Sequence, residues 1–245
     1  LLSEGEIGLG IWLTIRCTDV AELISHLGFD WVVLDMEHSP LCISDVQNLI
    51  QVIDETKTTP IVRVAWNDPV LVKLALDVGA HGVLVPWVNT KEEAELAVKS
   101  VRYPPKGIRG YGPRRAAMYG LKTKEYLETA DKEVMLIIQI ETAKAVENLE
   151  KILTVEGIDA VFIGPYDLAT SYGFLGDPSQ PQVQKAINTI LEICKKFKKP
   201  AGIFASPTTA TDYIKRGFQF VAIGSDIGIL MQACTDILNK LKSKE

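Results

Sequence analysis

The chain has 245 residues, 47% of them hydrophobic, and a formal net charge of -5. With a sequence pI near 5.4 and no dominant basic tract, nucleic acid is excluded as the main partner. No apolar run approaches the roughly 20 residues that span a bilayer, so no membrane partner is expected. One domain covering residues 1–245 suits this length. Cys17, Cys42, Cys194 and Cys234 are scattered and form no C-x-x-C pair, which argues against a zinc site or a disulfide framework. A reducing, cytoplasmic location is therefore expected. No secretory signal is visible, although the chain opens at Leu1 rather than at a methionine.

In chain order, Gly8 to Ile15 predicts a first strand and Asp19 to Leu27 a first helix. Trp31 to His38 predicts the second strand, and Ile43 to Glu55 its helix. Pro60 to Trp66 predicts the third strand. The helix from Pro69 to Val78 follows, with a first-turn proline and Gly79 just past its end. Gly82 to Pro86 and Lys91 to Val101 form the fourth pair. The irregular stretch from Arg102 to Met118 carries four prolines and glycines in its first half and the arginines Arg102, Arg109, Arg114 and Arg115. By chain order it belongs to the bottom of the fold or wraps around it. Its arginines read equally as solvated, as subunit contacts or as ligands for an anion.

The central unit is the stretch from Val134 to Leu168. The apolar run Val134 to Glu141 and the run Ala160 to Asp167 read as two buried parallel strands, joined by an amphipathic helix from Ala143 to Gly157. Gln182 to Phe197 is the next helix, Ala201 to Ala205 the seventh strand, and Thr209 to Lys215 a helix stopped at Gly217. Phe218 to Gly224 is the eighth strand, and Ile229 to Leu241 the last helix. Eight strands alternating with eight helices predict an α/β fold of the (β/α)8 TIM-barrel type. A doubly wound sheet is the lesser reading, since no strand leads into G-x-G-x-x-G.

Barrel chemistry sits at the C-terminal strand ends. Those ends offer Asp35, Glu37 and His38, then Arg63 and Trp66, Pro86, Gln139 and Glu141, Asp167, Ser206, Ser225 and Asp226. Parallel strands five and six bring Glu141 and Asp167 to one edge, where two carboxylates can hold a divalent cation or act as an acid/base pair. Helix capping is the structural alternative for each. Arg63, flanked by Val62 and Val64, reads as a structural ion pair or as a fork for an anionic substrate. His38 reads as a metal ligand, a base or a turn residue, with a base preferred. No lysine lies within a strand, which disfavours Schiff-base chemistry. No G-x-S-x-G elbow appears.

Seven segments then carry a resemblance to a known family. They are Leu34 to His38, Arg63 to Pro69, Leu76 to Ala80, Arg102 to Gly110, Gln139 to Thr142, Gly157 to Pro165 with Asp167 and Leu168, and Val221 to Asp226. Together, and in this order, they resemble the HpcH/HpaI family of metal-dependent (class II) pyruvate aldolases. The resemblance implies cleavage of a 4-hydroxy-2-oxo acid to pyruvate and an aldehyde, through a metal-stabilised pyruvate enolate. It implies a divalent ion (Mg, Mn or Co) held by Glu141 and Asp167, with the keto acid fixed by Gln139, Asp167 and the backbone at Tyr166. Arg63 would stabilise the oxyanion and His38 would be the acid/base. Asp77 would raise the basicity of His38, and Asp35 and Glu37 would order its loop. Tyr166 and Phe204 stand where smaller residues are common and would narrow the pocket. A homo-oligomer is implied, of the hexameric kind with exchanged C-terminal helices; packing of the last helix on its own barrel is the alternative. Two other functions stay in competition: an acyl-CoA ester lyase, and a keto-acid-binding barrel without turnover.

Overall fold

The structure, a computed structural model, describes residues 6–242. The ends of the expected 1–245 domain therefore lie outside the described residues. Eight parallel strands close into one barrel in chain order, with β8 pairing back to β1. They are β1 (Gly8–Leu13), β2 (Trp31–Asp35), β3 (Thr59–Arg63), β4 (Gly82–Val85), β5 (Met135–Ile140), β6 (Ala160–Ile163), β7 (Ala201–Ala205) and β8 (Phe220–Ser225). The expected (β/α)8 barrel is the observed fold.

The helices among the described residues are α1 (Thr18–His26), α2 (Ile43–Ile53), α3 (Pro69–Asp77), α4 (Lys91–Val101), α5 (Thr123–Glu133), α6 (Ala143–Ile152), α7 (Pro165–Ser171), α8 (Pro181–Lys196), α9 (Ala210–Arg216) and α10 (Asp226–Lys242). Two of these, α5 and α7, go beyond the expected set. The strand expected to run to Asp167 ends at Ile163, because Pro165 opens α7 at its first turn. Asp167 is thus carried by a helix rather than by a strand. The second and third strands likewise end at Asp35 and Arg63, so His38 and Trp66 stand on loops.

Alternation along the strands divides the core into two layers. Val32, Leu34, Val62, Val83, Ile138 and Val161 face the helices. Trp12, Trp31, Val33, Ile61, Leu84, Ile137, Phe162 and Phe220 fill the barrel interior. Trp31 stacks on Phe220 with ring centroids 3.9 Å apart, and Trp12 meets Phe162 at 5.1 Å. So aromatic an interior needs small residues opposite. A Cβ on Gly10 would lie 2.1 Å from the Trp31 ring, and one on Gly202 would lie 2.6 Å from both Phe162 and the Phe220 carbonyl oxygen. Gly202→Val is accordingly expected to overpack the barrel and cost about 1–3 kcal/mol or more in urea unfolding. An unchanged midpoint would show that the plug can yield.

The long segment after α4 runs along the N-terminal end of the barrel, as chain order implied. Three of its four arginines are engaged within the chain, while Arg114 is exposed. Arg109, 2% exposed, donates to Asp77 Oδ1 at 2.8 Å and to Tyr126 Oη at 3.0 Å, and its guanidinium carbon lies 4.6 Å from the Tyr103 ring centroid. Arg115 donates to Asp54 at 2.7 Å, and Arg102 to the Val134 carbonyl at 3.0 Å. These pairings, that of Arg109 buried and that of Arg115 nearer the surface, fasten the segment under α3. Helix α10 is different. Of its described residues only Asp226 is buried, while Ile227, Leu230, Met231, Leu238 and Leu241 are all exposed. Only its first turn is fastened to the barrel, through Asp226.

Candidate active site

The C-terminal strand ends converge on a cavity of about 360 Å3. Its walls include Trp12, Thr14, Asp35, His38, Arg63, Gln139, Phe162, Tyr166, Asp167, Phe204 and Ser225. The inward register that places Trp31 and Val33 in the core also points Asp35 inward one step further along, and the same holds for Ile61 and Arg63 and for Ile137 and Gln139. Polar side chains therefore begin where the aromatic plug ends.

Arg63 is buried and fully engaged on one edge. Its Nε and Nη2 donate to the two oxygens of Asp35 at 2.8 and 2.7 Å. Its Nη1 pairs with Glu37 Oε2 at 3.1 Å, and its guanidinium carbon lies 5.4 Å from the Trp12 ring centroid. Burial works against its charge, but the Asp35 hydrogen bonds and the charges of Asp35 and Glu37 prevail and hold its pKa above the ordinary arginine value. The ion-pair reading of Arg63 is thus what the structure shows, with Asp35 and Glu37 as its partners, and the residue also lines the cavity.

Asp35 also organises the turn that carries His38. Its Oδ1 accepts from the Glu37 and His38 amides at 3.0 and 3.3 Å, and its carbonyl accepts from the Ser39 hydroxyl. The His38 imidazole is exposed at the cavity mouth, with Nε2 3.9 Å from Glu37 Oε1. Asp77 is not brought to it. As the last residue of α3, Asp77 sits at the N-terminal end of the barrel, where Arg109 holds it. Within one chain the expected Asp77–His38 partnership is therefore not formed: a helix that starts at the active end finishes at the other. The aspartate in contact with the His38 turn is Asp35.

Glu141 is 2% exposed and lies just beneath the cavity wall. Its Oε1 accepts from the Trp87 amide at 2.8 Å, and its Oε2 accepts from Gln139 Nε2. Burial pushes its pKa up to about 7; the Trp87 amide opposes this, and the negative charges of Glu37 and Asp167 add to it. Glu37 is raised too, by burial, against the pull of Arg63 and His38. Gly164 passes close by. A Cβ there would lie 2.8 Å from Glu141 Oε2 and 2.9 Å from Gln139 Nε2, so only glycine leaves this cradle open. The buried Gln139 Oε1 has no hydrogen-bond partner. Asp167 lies in the first turn of α7, on the cavity wall, close enough for its charge to be felt by Glu141. Tyr166 and Phe204 meet edge-to-face with centroids 6.1 Å apart and close one side of the cavity.

Trp12, Thr14 and Gly164 were not singled out from the sequence. Thr14, a polar residue at the end of an apolar first strand, gave the one available signal. Asp226 has a different role from its strand-end neighbours. It accepts from the Thr14 amide and hydroxyl and from the Ile15 amide at 2.7 to 3.0 Å, and so ties β1 to the start of α10.

The sequence profile of the HpcH/HpaI aldolase/citrate lyase family matches residues 9–233. The chain belongs to this family. It is accordingly a carbon–carbon lyase of the aldolase type. Among its relatives, the 2-dehydro-3,6-dideoxy-6-sulfogluconate aldolase of Pseudomonas putida is 41% identical over 100% of this chain and 96% of its own length. The 5-keto-4-deoxy-D-glucarate aldolase of Escherichia coli K12 is 40% identical over 98% of this chain and 94% of its own. The crystal structure of a family protein from Burkholderia cenocepacia J2315 superposes with a TM-score of 0.93 at 35% identity, covering 97% of this chain and 95% of that one. Among the described residues no helix is long and apolar enough to cross a membrane.

Proposed function

We propose that this enzyme cleaves a 4-hydroxy-2-oxo acid to pyruvate and an aldehyde with the help of a divalent cation (Mg, Mn or Co). The observation that carries the reading is the carboxylate pair Glu141 and Asp167 beside an unsatisfied Gln139 oxygen and the Gly164 cradle. Among the described residues no group of three or more His, Cys, Asp or Glu is arranged to hold a metal. A two-carboxylate site fits a hard cation that keeps water and substrate oxygens as its other ligands. The raised Glu141 carboxyl fits as well, because a buried carboxylate with acidic neighbours lacks a positive partner. The bound ion supplies Lewis acidity toward the 2-oxo acid group.

The chain's own residues supply the rest. Gln139 and the backbone at Tyr166 orient the keto acid over the barrel mouth. Arg63 Nη1 stabilises the oxygen on which negative charge develops. His38 takes the proton of the 4-hydroxyl as the carbon–carbon bond breaks and returns a proton to the pyruvate carbon. The Tyr166–Phe204 wall limits the width of the aldehyde half. Both relatives are named for six-carbon substrates that carry a 2-oxo acid at one end and a second acidic group at the other. We place the physiological substrate in this class of deoxy-oxo sugar acids. The test is pyruvate release from both compounds, coupled to lactate dehydrogenase. Turnover that is lost with chelator and restored by Mg, Mn or Co is expected; turnover indifferent to chelator would oppose the metal reading.

In this reading the single barrel is the catalytic domain, and the four free cysteines fit a cytoplasmic location. The exposed apolar face of α10 supports a homo-oligomer, with a hexamer as the expected state. Leu230→Asp together with Leu238→Asp, both at exposed positions of the single chain, is expected to yield a folded monomer by light scattering. A wild type that is itself monomeric would contradict this assignment.

A further inference from the structure

Trp87 has φ +57, a left-handed conformation that a bulky side chain adopts at a cost. It follows β4 and Pro86, on a loop whose next residue, Val88, is fully buried. The conformation directs its amide to Glu141 Oε1 at 2.8 Å. It is secured from the other side of the residue, where Asn89 Nδ2 donates to the Trp87 carbonyl at 2.8 Å. Asn89 Oδ1 in turn accepts from the Thr142 hydroxyl, next in sequence to Glu141, and the Asn89 carbonyl accepts from Asn148 Nδ2 at 3.0 Å. The β4–α4 loop therefore grips the end of β5 twice, once through the carboxylate and once through the neighbouring hydroxyl.

We infer that the Trp87–Asn89 turn is a backbone clamp that sets the Glu141 carboxylate for cation binding, with Asn89 as the positioning residue that keeps Trp87 left-handed. Trp87 contributes its main-chain N–H and Asn89 its side-chain amide; neither touches the reacting atoms. With Oε1 held by Trp87 and Oε2 by Gln139, each oxygen keeps one lone-pair direction for a cation, and the carboxylate cannot rotate away. The inference rests on the reading of Glu141 as a cation ligand.

The test titrates Mn2+ into the metal-free protein by calorimetry, alongside hydrogen exchange of the Trp87 amide. Asn89→Ala is expected to weaken Mn2+ binding by about 10–100-fold, the usual effect of losing a partner behind a ligand, while the melting temperature stays within a few degrees. Adding Trp87→Gly to that variant is expected to recover about fivefold or more, because glycine takes the left-handed conformation without a Cβ penalty. Unchanged affinity in Asn89→Ala, or no recovery in the double variant, overturns the clamp. Asn89→Ser, too short to reach the Trp87 carbonyl, replaces the alanine variant if that fails to fold. Should the wild type bind no Mn2+, it is the cation reading that fails, and exchange decides the clamp: a Trp87 amide protected in the wild type and fast in Asn89→Ala upholds it, and equal rates overturn it.

Discussion

Glu141→Gln is expected to lower kcat/KM by on the order of a thousandfold or more while leaving the barrel at least as stable. The loss follows from the cation's share of the reaction, several kcal/mol of charge stabilisation in the transition state. The stability follows from burial. In the metal-free protein Glu141 titrates near 7 rather than near 4.5, so above neutral pH its charged form is held against its preference. The sign is that of a raised carboxylate: the destabilisation is absent below the unfolded pKa, grows through the window up to about 7, and is complete above it. A neutral amide removes it. Gln139 can turn its unpartnered Oε1 toward the new NH2 group, so the hydrogen bond between the two side chains survives. Thermal melts at pH 8 in chelator should therefore show the variant equal to or above the wild type, with turnover nearly abolished. A marked drop in melting temperature would mean that Glu141 chiefly supports the fold.

Arg63 is expected to behave oppositely, losing both activity and stability. Arg63→Ala strands Asp35 and Glu37 as buried carboxylates without a cation, and breaking a buried pair of this kind costs about 3–5 kcal/mol. It also removes the donor Nη1, for which a loss of about 100–1000-fold in kcat is expected. Arg63→Lys separates the two effects. An ammonium keeps the charge but cannot make the fork to both Asp35 oxygens, which the arginine holds at 2.8 and 2.7 Å. Lysine should restore much of the melting temperature and little of kcat. If lysine restored both equally, Arg63 would be a structural ion pair and nothing more.

Much of this site was legible because strands announce themselves as short apolar runs, and barrel strands carry their chemistry at one end. Gln139, Glu141, Arg63 and Asp35 were found by that rule alone. The rule loses precision where a strand gives way to a helix. The apolar pattern of β6 continues into Pro165 and Tyr166, so Asp167 was read as strand-borne although proline had already started α7. Helix α5 was missed because its sequence is charged and only Ala130 is buried along it. The place of Asp77 within the chain was hidden for a different reason: a motif of short segments does not say which end of the barrel each segment occupies. The arginines after α4 could not be resolved from sequence, since their partners Asp77, Asp54 and Val134 lie far away along the chain. The left-handed Trp87 was equally invisible, because the carboxylate it serves is 54 residues away.

The most direct measurement is deuterium exchange into the methyl group of pyruvate, followed by NMR, in metal-free protein and after addition of Mg, Mn or Co. Exchange that starts with the metal and disappears in Glu141→Gln is the predicted result, since it isolates formation of the pyruvate enolate from any choice of aldehyde. A folded wild-type protein that shows no exchange with any of the three metals would contradict the account and favour either an acyl-CoA ester lyase or a barrel that binds keto acids without turnover.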